Sequence, residues 1–384
     1  MPRTRVFLVP GFFGFTHFGD FRYWMHVRDH LLVAMAARRT RPEIHHVPTL
    51  PTASLARRAV VLLETIADVA DEDDSLILIG HSTGGLDARL LTTPGVRLPT
   101  ELPVERWASR VRSVVSVSTP HFGAPTAAFF TGLQGQKLLR TISALTVELI
   151  RFGTVPLPAL VALAGVLPSR ESLGLGRGAA GVLDQVYQLV LKDFQPDRRR
   201  EIETYFREAT GDQTLLLQLT PEAMLLFEAL APPREGTRYG SVITRSPDPS
   251  LRGVFRTGAR PLEQAKYALY RGLHLLARGT PEDVLPPLAL QQREALVRAY
   301  GGLPSPNDSD GMVPTRSQVW GAVLHACKAD HLDVIGHFHD PEHHPSHTDW
   351  LRSGSGFDRS AFERLWDDVA IFVTPGGGVP PPAS

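Results

Sequence analysis

The stretch Gly80-His81-Ser82-Thr83-Gly84-Gly85 sets a serine between glycines, directly after the apolar run Ser75–Ile79. A serine hydroxyl is a poor nucleophile by itself. It attacks a carbonyl when a base takes its proton, an acid fixes the tautomer of that base, and N–H donors receive the developing oxyanion. A strand, a tight turn and a helix supply the exposed nucleophile, because flanking glycines let the backbone bend sharply while Oγ stays accessible. The same turn brings the Thr83 amide to a helix N-terminus, where it can face the oxyanion. The plain alternative is an ordinary strand-to-helix loop in a chain with 33 glycines, so context has to decide.

In such an arrangement the partners follow the serine in the order acid, then histidine. Late in the chain Asn307–Pro314 reads NDSDGMVP, and Asp310-Gly311 is a turn that can present a carboxylate at a strand end. Asp308 competes two residues earlier. Farther on, KADHLDVIG carries His331, which stands out among 15 histidines by its place after the last strand-like run. A second oxyanion donor has to come from the loop after an early strand. VPGFFGF (Val9–Phe15) is such a loop, and the Phe12 amide can face the serine, although alone the segment reads as just a turn. The five histidines of HFHDPEHHPSH (His337–His347) suggest a transition metal. Two prolines and irregular spacing make a surface loop the better reading.

The elements that must position these residues alternate. TRVFLV (Thr4–Val9) is a strand stopped by Pro10-Gly11, residues 22–38 have helical composition, and EIHHV (Glu43–Val47) is a second strand. Ser54 caps a helix whose Leu55, Ala59, Leu62, Leu63, Ile66 and Val69 share a face. SLILI and VRSVVSV (Val111–Val117) are unbroken apolar runs of the kind buried in parallel sheets. Strand–helix alternation predicts an α/β fold, with a mostly parallel sheet covered on both faces.

The alternation fails after residue 125. The sequence predicts a first core part over residues 1–125 and a helical cap or lid over 126–235. A second core part follows over 236–374, opened by the strand RYGSVIT (Arg238–Thr244), with a helical insertion at 250–300. A strand at VWGAVL (Val319–Leu324) and a helix at Ser360–Val373 close it. The Pro- and Gly-rich tail, 375–384, is expected to be disordered. The apolar helices of the cap suit either a mobile lid over an acyl pocket, opening onto a lipid–water interface, or a fixed second core.

Forty basic and forty acidic side chains cancel in this chain of 384 residues, which argues against a nucleic-acid partner. Cys327 is the single cysteine, so neither an internal disulfide nor a cysteine metal site can form. The N-terminal apolar run is too short for a signal peptide, which predicts a cytoplasmic protein as the sequence stands, or a secreted one after removal of a leader. The apolar run between Pro158 and Pro168 falls far short of the ~20 residues of a membrane helix, so no transmembrane segment is expected.

Taken together, these segments resemble the bacterial triacylglycerol lipases of the α/β-hydrolase fold. VPGFFGF with FRYWMHVRDHL is similar to their oxyanion loop and the helix after it, GHSTGG to their nucleophile turn, and VSVSTPHFGAP (Val115–Pro125) to a strand-end segment. LTPEAMLLFEALAP, SDGMVP, ADHLDVIG and FDRSAFERLW resemble the segment after the lid, the acid turn, the histidine turn and the final helix. The thermoalkalophilic branch resembles the C-terminal end best.

The resemblance implies Ser82 as nucleophile, Asp310 as acid, His331 as base, and the Phe12 and Thr83 amides as oxyanion hole, with no organic cofactor. It also implies a structural calcium on Asp333 and on the pair Asp340-Pro341; Asp333 bonding its own loop is the alternative. No match to the branch's zinc cluster is found, and His121 in TPHFGAP reads as structural. Long-chain acylglycerols are the implied substrate. A soluble esterase, a polyester depolymerase, an acyltransferase and a non-catalytic binding protein of the same fold remain as alternatives, and the oligomeric state is open.

Overall fold

A computed structural model describes residues 3–12, 23–50, 52–131, 214–250, 261–340, 342, 349 and 351–379. Six strands form one parallel sheet: β1 (Thr4–Val9), β2 (Pro42–His46), β3 (Ser75–His81), β4 (Val111–Val117), β5 (Arg238–Arg245) and β6 (Ala322–Lys328). Their order across the sheet is β2-β1-β3-β4-β5-β6. Described helices are α1 (Val27–Ala37), α2 (Leu55–Val69), α3 (Thr83–Thr92), α4 (Val104–Ala108), α5 (Pro125–Thr131), α6 (Thr214–Gln218), α7 (Pro221–Leu230), α8 (Pro261–Leu276), α9 (Leu290–Tyr300) and α10 (Arg359–Val373).

The period of two along each strand builds a core on both faces of the sheet. Val6, Leu8, Ile77, Ile79, Val115 and Val117 pack with Met35 of α1 and with Leu365, Trp366 and Val369 of α10. The intervening Phe7, Val9, Leu76, Leu78 and Val114 pack with Leu62, Leu63 and Ile66 of α2 and with Ala88 and Leu91 of α3. Ser54 caps α2 by accepting the Arg57 N–H at 3.4 Å, and the apolar face foreseen for this helix is the one it buries. Fully burying one such leucine stabilises the fold by about 1.5–3 kcal/mol.

From β1 the chain passes to one side for β2, then returns to the other side for β3. Strand order therefore reverses between β1 and β3, and a crevice opens at their carboxyl ends, where ligands bind in open parallel sheets. Pairing of Val9 with Gly80 sets the loop after β1 beside the turn after β3.

The strand expected at Val319–Leu324 lies instead at Ala322–Lys328. Thr315–Gln318 forms a 3-10 turn that Val319 closes, and Gly321, at φ 71°, redirects the chain before pairing can begin. The second strand ends one residue earlier than read, at His46. Of the expected cap, residues 132–213 lie outside the described residues, as do 251–260 of the second helical insertion. The expected tail begins as a turn in which Gly377 N–H donates to the Thr374 carbonyl at 3.0 Å, and its last five residues lie outside the described ones. Among the described residues no helix is long and apolar enough to cross a membrane.

Candidate active site

Ser82 is the single residue between β3 and α3, with φ 54° and ψ −128°. A positive φ on a side chain other than glycine stores strain, which its neighbours must overcome. Ser82 N–H donates to the Val117 carbonyl at 2.8 Å, and the Ser82 carbonyl accepts the Gly85 N–H at 3.2 Å, so the turn is held from both sides. Close backbone approach explains the flanking glycines. A Cβ on Gly84 would stand 2.2 Å from the Val9 carbonyl oxygen, and one on Gly11 would stand 2.5 Å from Ser82 Cβ and 3.1 Å from Ser82 Oγ. The loop that carries Phe12 therefore lies directly against the serine. Thr83 is the first residue of α3 and is buried, and half-buried Phe12 packs on a cluster of Leu55, Leu86, Leu219 and Met224.

Asp310 and His331 come together. His331 Nδ1 lies 2.8 Å from Asp310 Oδ2, and His331 N–H donates to the Asp310 carbonyl at 3.0 Å. The Asp310 side chain is fully buried, and His331 is only 2% exposed. Asp310 sits in a tight turn closed by its own N–H to the Val313 carbonyl at 3.1 Å, with Gly311 at φ 96°. Asp308, the competing carboxylate, pairs with Arg245 at 3.0 Å and accepts the Ser305 N–H at 2.6 Å. His331 reaches the serine turn through His81, whose ring centroid is 4.6 Å from its own. Among the described residues no hydrogen bond joins Ser82 Oγ to His331.

Sequence reasoning missed a supporting set of polar groups. Thr244 Oγ1 and Gln318 Nε2 lie 2.9 and 3.2 Å from Asp310 Oδ2. His81 and Tyr23 bridge the two halves of the site, as their 2.6 Å contact and the 2.9 Å contact from His81 to the His331 carbonyl indicate. His81 lay inside the serine motif and Tyr23 beside the first loop, but nothing in their spacing pairs them. Burial, then the His331 imidazole, hold His81 well below the usual histidine range. Burial pushes the Tyr23 phenol above its ordinary value.

Asp333 joins Asp330 and Asp349, with one carboxylate oxygen of each within 4.8 Å of the others. Asp340 is not part of that group: it pairs with Arg359 at 3.1 Å, and Pro341 lies outside the described residues. Hard oxygen donors of this kind suit calcium. Ser353 and Ser355 hydroxyls also donate to Asp330 and Asp333, each at 2.7 Å. Burial, then the Asp349 charge, push Asp330 up to about 7, and burial, then the Asp330 charge, raise Asp333 well above the carboxylate range. Of the histidine-rich segment, His337 donates from Nε2 to the Tyr23 carbonyl at 3.1 Å and His339 is exposed, while 343–348 lie outside the described residues. His121 is buried and stacks on Trp320 at 5.2 Å.

No protein-family model matches the chain, and no curated protein does. Solved structures are similar to it. Lipase 1 from Pelosinus fermentans superposes with a TM-score of 0.51 at 16% identity, over 97% of this chain and 100% of that one. EstA from Clostridium botulinum gives 0.48 at 17% identity, over 96% and 88%. Staphylococcus hyicus lipase gives 0.48 at 14% identity, over 96% and 94%. At such identities the likeness speaks to architecture alone. Joined to the six-stranded parallel sheet, its switch point and the serine turn after β3, it establishes that the chain has the α/β-hydrolase fold.

Proposed function

We propose that the chain is a serine hydrolase of carboxylic esters. The observation that carries this reading is the buried Asp310–His331 pair, 2.8 Å apart, whose imidazole lies against His81, the residue before the strained Ser82 at the carboxyl end of β3. Asp310 fixes His331 with its proton on Nδ1 and its lone pair on Nε2. When an ester binds, Nε2 comes within reach of Ser82 Oγ, takes its proton as Oγ attacks the carbonyl carbon, and returns it to the departing alcohol. The Phe12 and Thr83 N–H groups receive the tetrahedral oxyanion. Water repeats the cycle on the acyl-serine, and no organic cofactor enters it.

The substrate reading is an acylglycerol with long acyl chains, as in the triacylglycerol lipases whose motifs, above all those of the thermoalkalophilic branch, the C-terminal half resembles. Leu217, Leu226 and Leu230 support it: they are 60%, 68% and 76% exposed on α6 and α7, beside the apolar cluster on which Phe12 packs. Exposed leucines of this kind suit a lipid–water interface. A calcium ion on Asp330, Asp333 and Asp349 would brace the turn that carries His331, supplying charge balance and taking no part in the reaction.

Hydrolysis of p-nitrophenyl esters of graded acyl length, with Ser82→Ala as control, tests both levels. Turnover that peaks on long chains and vanishes in Ser82→Ala supports the lipase reading. A peak on the shortest chains leaves an esterase. Turnover unaffected by Ser82→Ala, or none at all, overturns the proposal.

A further inference from the structure

Tyr23 is buried, is not part of the serine–histidine–aspartate set, and touches both halves of the site. Gly11 N–H donates to Tyr23 Oη at 2.8 Å, Tyr23 Oη lies 2.6 Å from His81 Nδ1, and His81 Nε2 lies 2.9 Å from the His331 carbonyl oxygen. The direction of each bond follows from the groups themselves. A carbonyl oxygen only accepts, so His81 carries its proton on Nε2. Burial keeps that ring neutral, which leaves a lone pair on Nδ1. The phenol, kept protonated by burial, must donate to Nδ1, and its oxygen accepts the Gly11 N–H. The chain runs one way from the loop after β1 to the backbone of His331.

The peptide unit between Pro10 and Gly11 is thereby held at both poles. Tyr23 takes its N–H, and Arg58 Nη2 donates to its carbonyl oxygen at 2.8 Å. Arg58 is anchored in turn by Asp87, with contacts of 3.0 and 3.1 Å from Nε and 2.6 Å from Nη2, both side chains being fully buried. A peptide plane fixed at oxygen and nitrogen cannot rotate, and the next N–H along the chain is that of Phe12. The backbone around Tyr23 also docks on the far turn: Met25 N–H donates to the Ile335 carbonyl at 2.9 Å, and His337 Nε2 to the Tyr23 carbonyl at 3.1 Å.

We propose that Tyr23 is a positioning residue, which through Gly11 and His81 sets the Phe12 amide and the His331 base in fixed relation; this rests on the serine-hydrolase reading above. It touches no reacting atom. Its hydroxyl aligns the oxyanion donor with the base before substrate arrives, and misalignment of such groups costs rate more than binding.

Tyr23→Phe deletes the hydroxyl and keeps the ring against Trp24 and His81, now at centroid distances of 5.6 and 5.7 Å. The expected result on a p-nitrophenyl ester is a kcat about tenfold to a hundredfold lower, with KM changed by less than about twofold. Deuterium exchange at the Gly11 amide should quicken in the same variant. His81→Gln interrupts the chain from the other side, so the loss is read even where one variant folds poorly. The double variant should be no slower than the slower single, because one chain is broken once. A Tyr23→Phe kcat within about twofold of the parent, or multiplicative losses in the double variant, overturns the positioning role while the hydrolase reading stands. A parent chain no faster than Ser82→Ala overturns the hydrolase reading itself and the positioning role with it.

Discussion

Thr244 Oγ1 lies 2.9 Å from Asp310 Oδ2, the same oxygen that faces His331 Nδ1 at 2.8 Å. The other oxygen, Oδ1, accepts the N–H groups of Met312 and Val313 at 3.0 and 2.8 Å. A carboxylate gripped on both oxygens has one orientation, and it passes that orientation to the imidazole.

Asp310→Asn should therefore do more than remove a charge. The amide favours the wrong imidazole tautomer, and kcat on a p-nitrophenyl ester should fall by about a thousandfold to ten-thousandfold. Asp308→Asn, which weakens the pair with Arg245 and leaves an amide oxygen to accept the Ser305 N–H, should leave kcat within about twofold and cost about 1–2 kcal/mol. Steady-state kinetics on the two variants separates the carboxylates; the reverse pattern would move the acid to Asp308.

Two glycine replacements should fail differently. In Gly84→Ala the new Cβ meets the Val9 backbone oxygen at 2.2 Å, and backbone cannot step aside, so urea unfolding should reveal a loss of about 1–3 kcal/mol. In Gly11→Ala the Cβ meets Ser82 Cβ at 2.5 Å as well as the His81 carbonyl oxygen at 2.9 Å, so besides a stability cost the labelling rate of Ser82 by an organophosphonate should fall. Equal labelling rates in parent and Gly11→Ala would place the loop farther from the serine than described.

Calcium should raise the thermal midpoint and a chelator should lower it, with unchanged kcat at low temperature. Asp330→Asn and Asp349→Asn should each abolish the calcium response, since both carboxylates lie with Asp333 within 4.8 Å. Asp340→Asn should retain it, because Asp340 is engaged with Arg359. Calorimetry with and without the chelator reads the difference, and a response lost in Asp340→Asn alone would restore the ligand set expected from sequence.

His274 gives a pH dependence of definite sign. Burial, then the Arg278 charge, lower it from 6.5 to about 4. The unfolded chain thus binds the proton more readily than the folded one. The stability from this group is full above pH 6.5 and is lost as pH falls toward about 4. Between about pH 7 and pH 5 the parent should lose about 1–2 kcal/mol more than His274→Gln, measured by urea unfolding at each pH. Parallel losses would mean that the histidine titrates normally when folded.

The serine turn was legible because three local signals coincide there: an apolar strand, glycines at fixed offsets and a helix start. Chain order admits Asp308 and Asp310 alike; the resemblance favours Asp310, which stands directly before Gly-Met-Val-Pro, while the Arg245 that pairs with Asp308 is remote in sequence. The resemblance pairs Asp333 with Asp340-Pro341; space joins Asp333 to Asp330 and Asp349, while Arg359 at the start of α10 pairs with Asp340. Val319 and Trp320 looked like strand by composition and serve as the exit from a turn, because apolar character reports burial and not pairing. The Tyr23–His81 contact spans 58 positions and left no periodic trace.

His81 and His331 meet across 250 positions of chain. During synthesis the residues of the serine turn emerge long before His331, and domains gain their late contacts only as the remaining chain emerges. A nascent copy halted before β6 lacks His331, the base assigned to Ser82 in the proposed mechanism. On the proposed serine-hydrolase reading, a chain gains its reactive serine only once the segment after β6 has folded back onto the turn after β3.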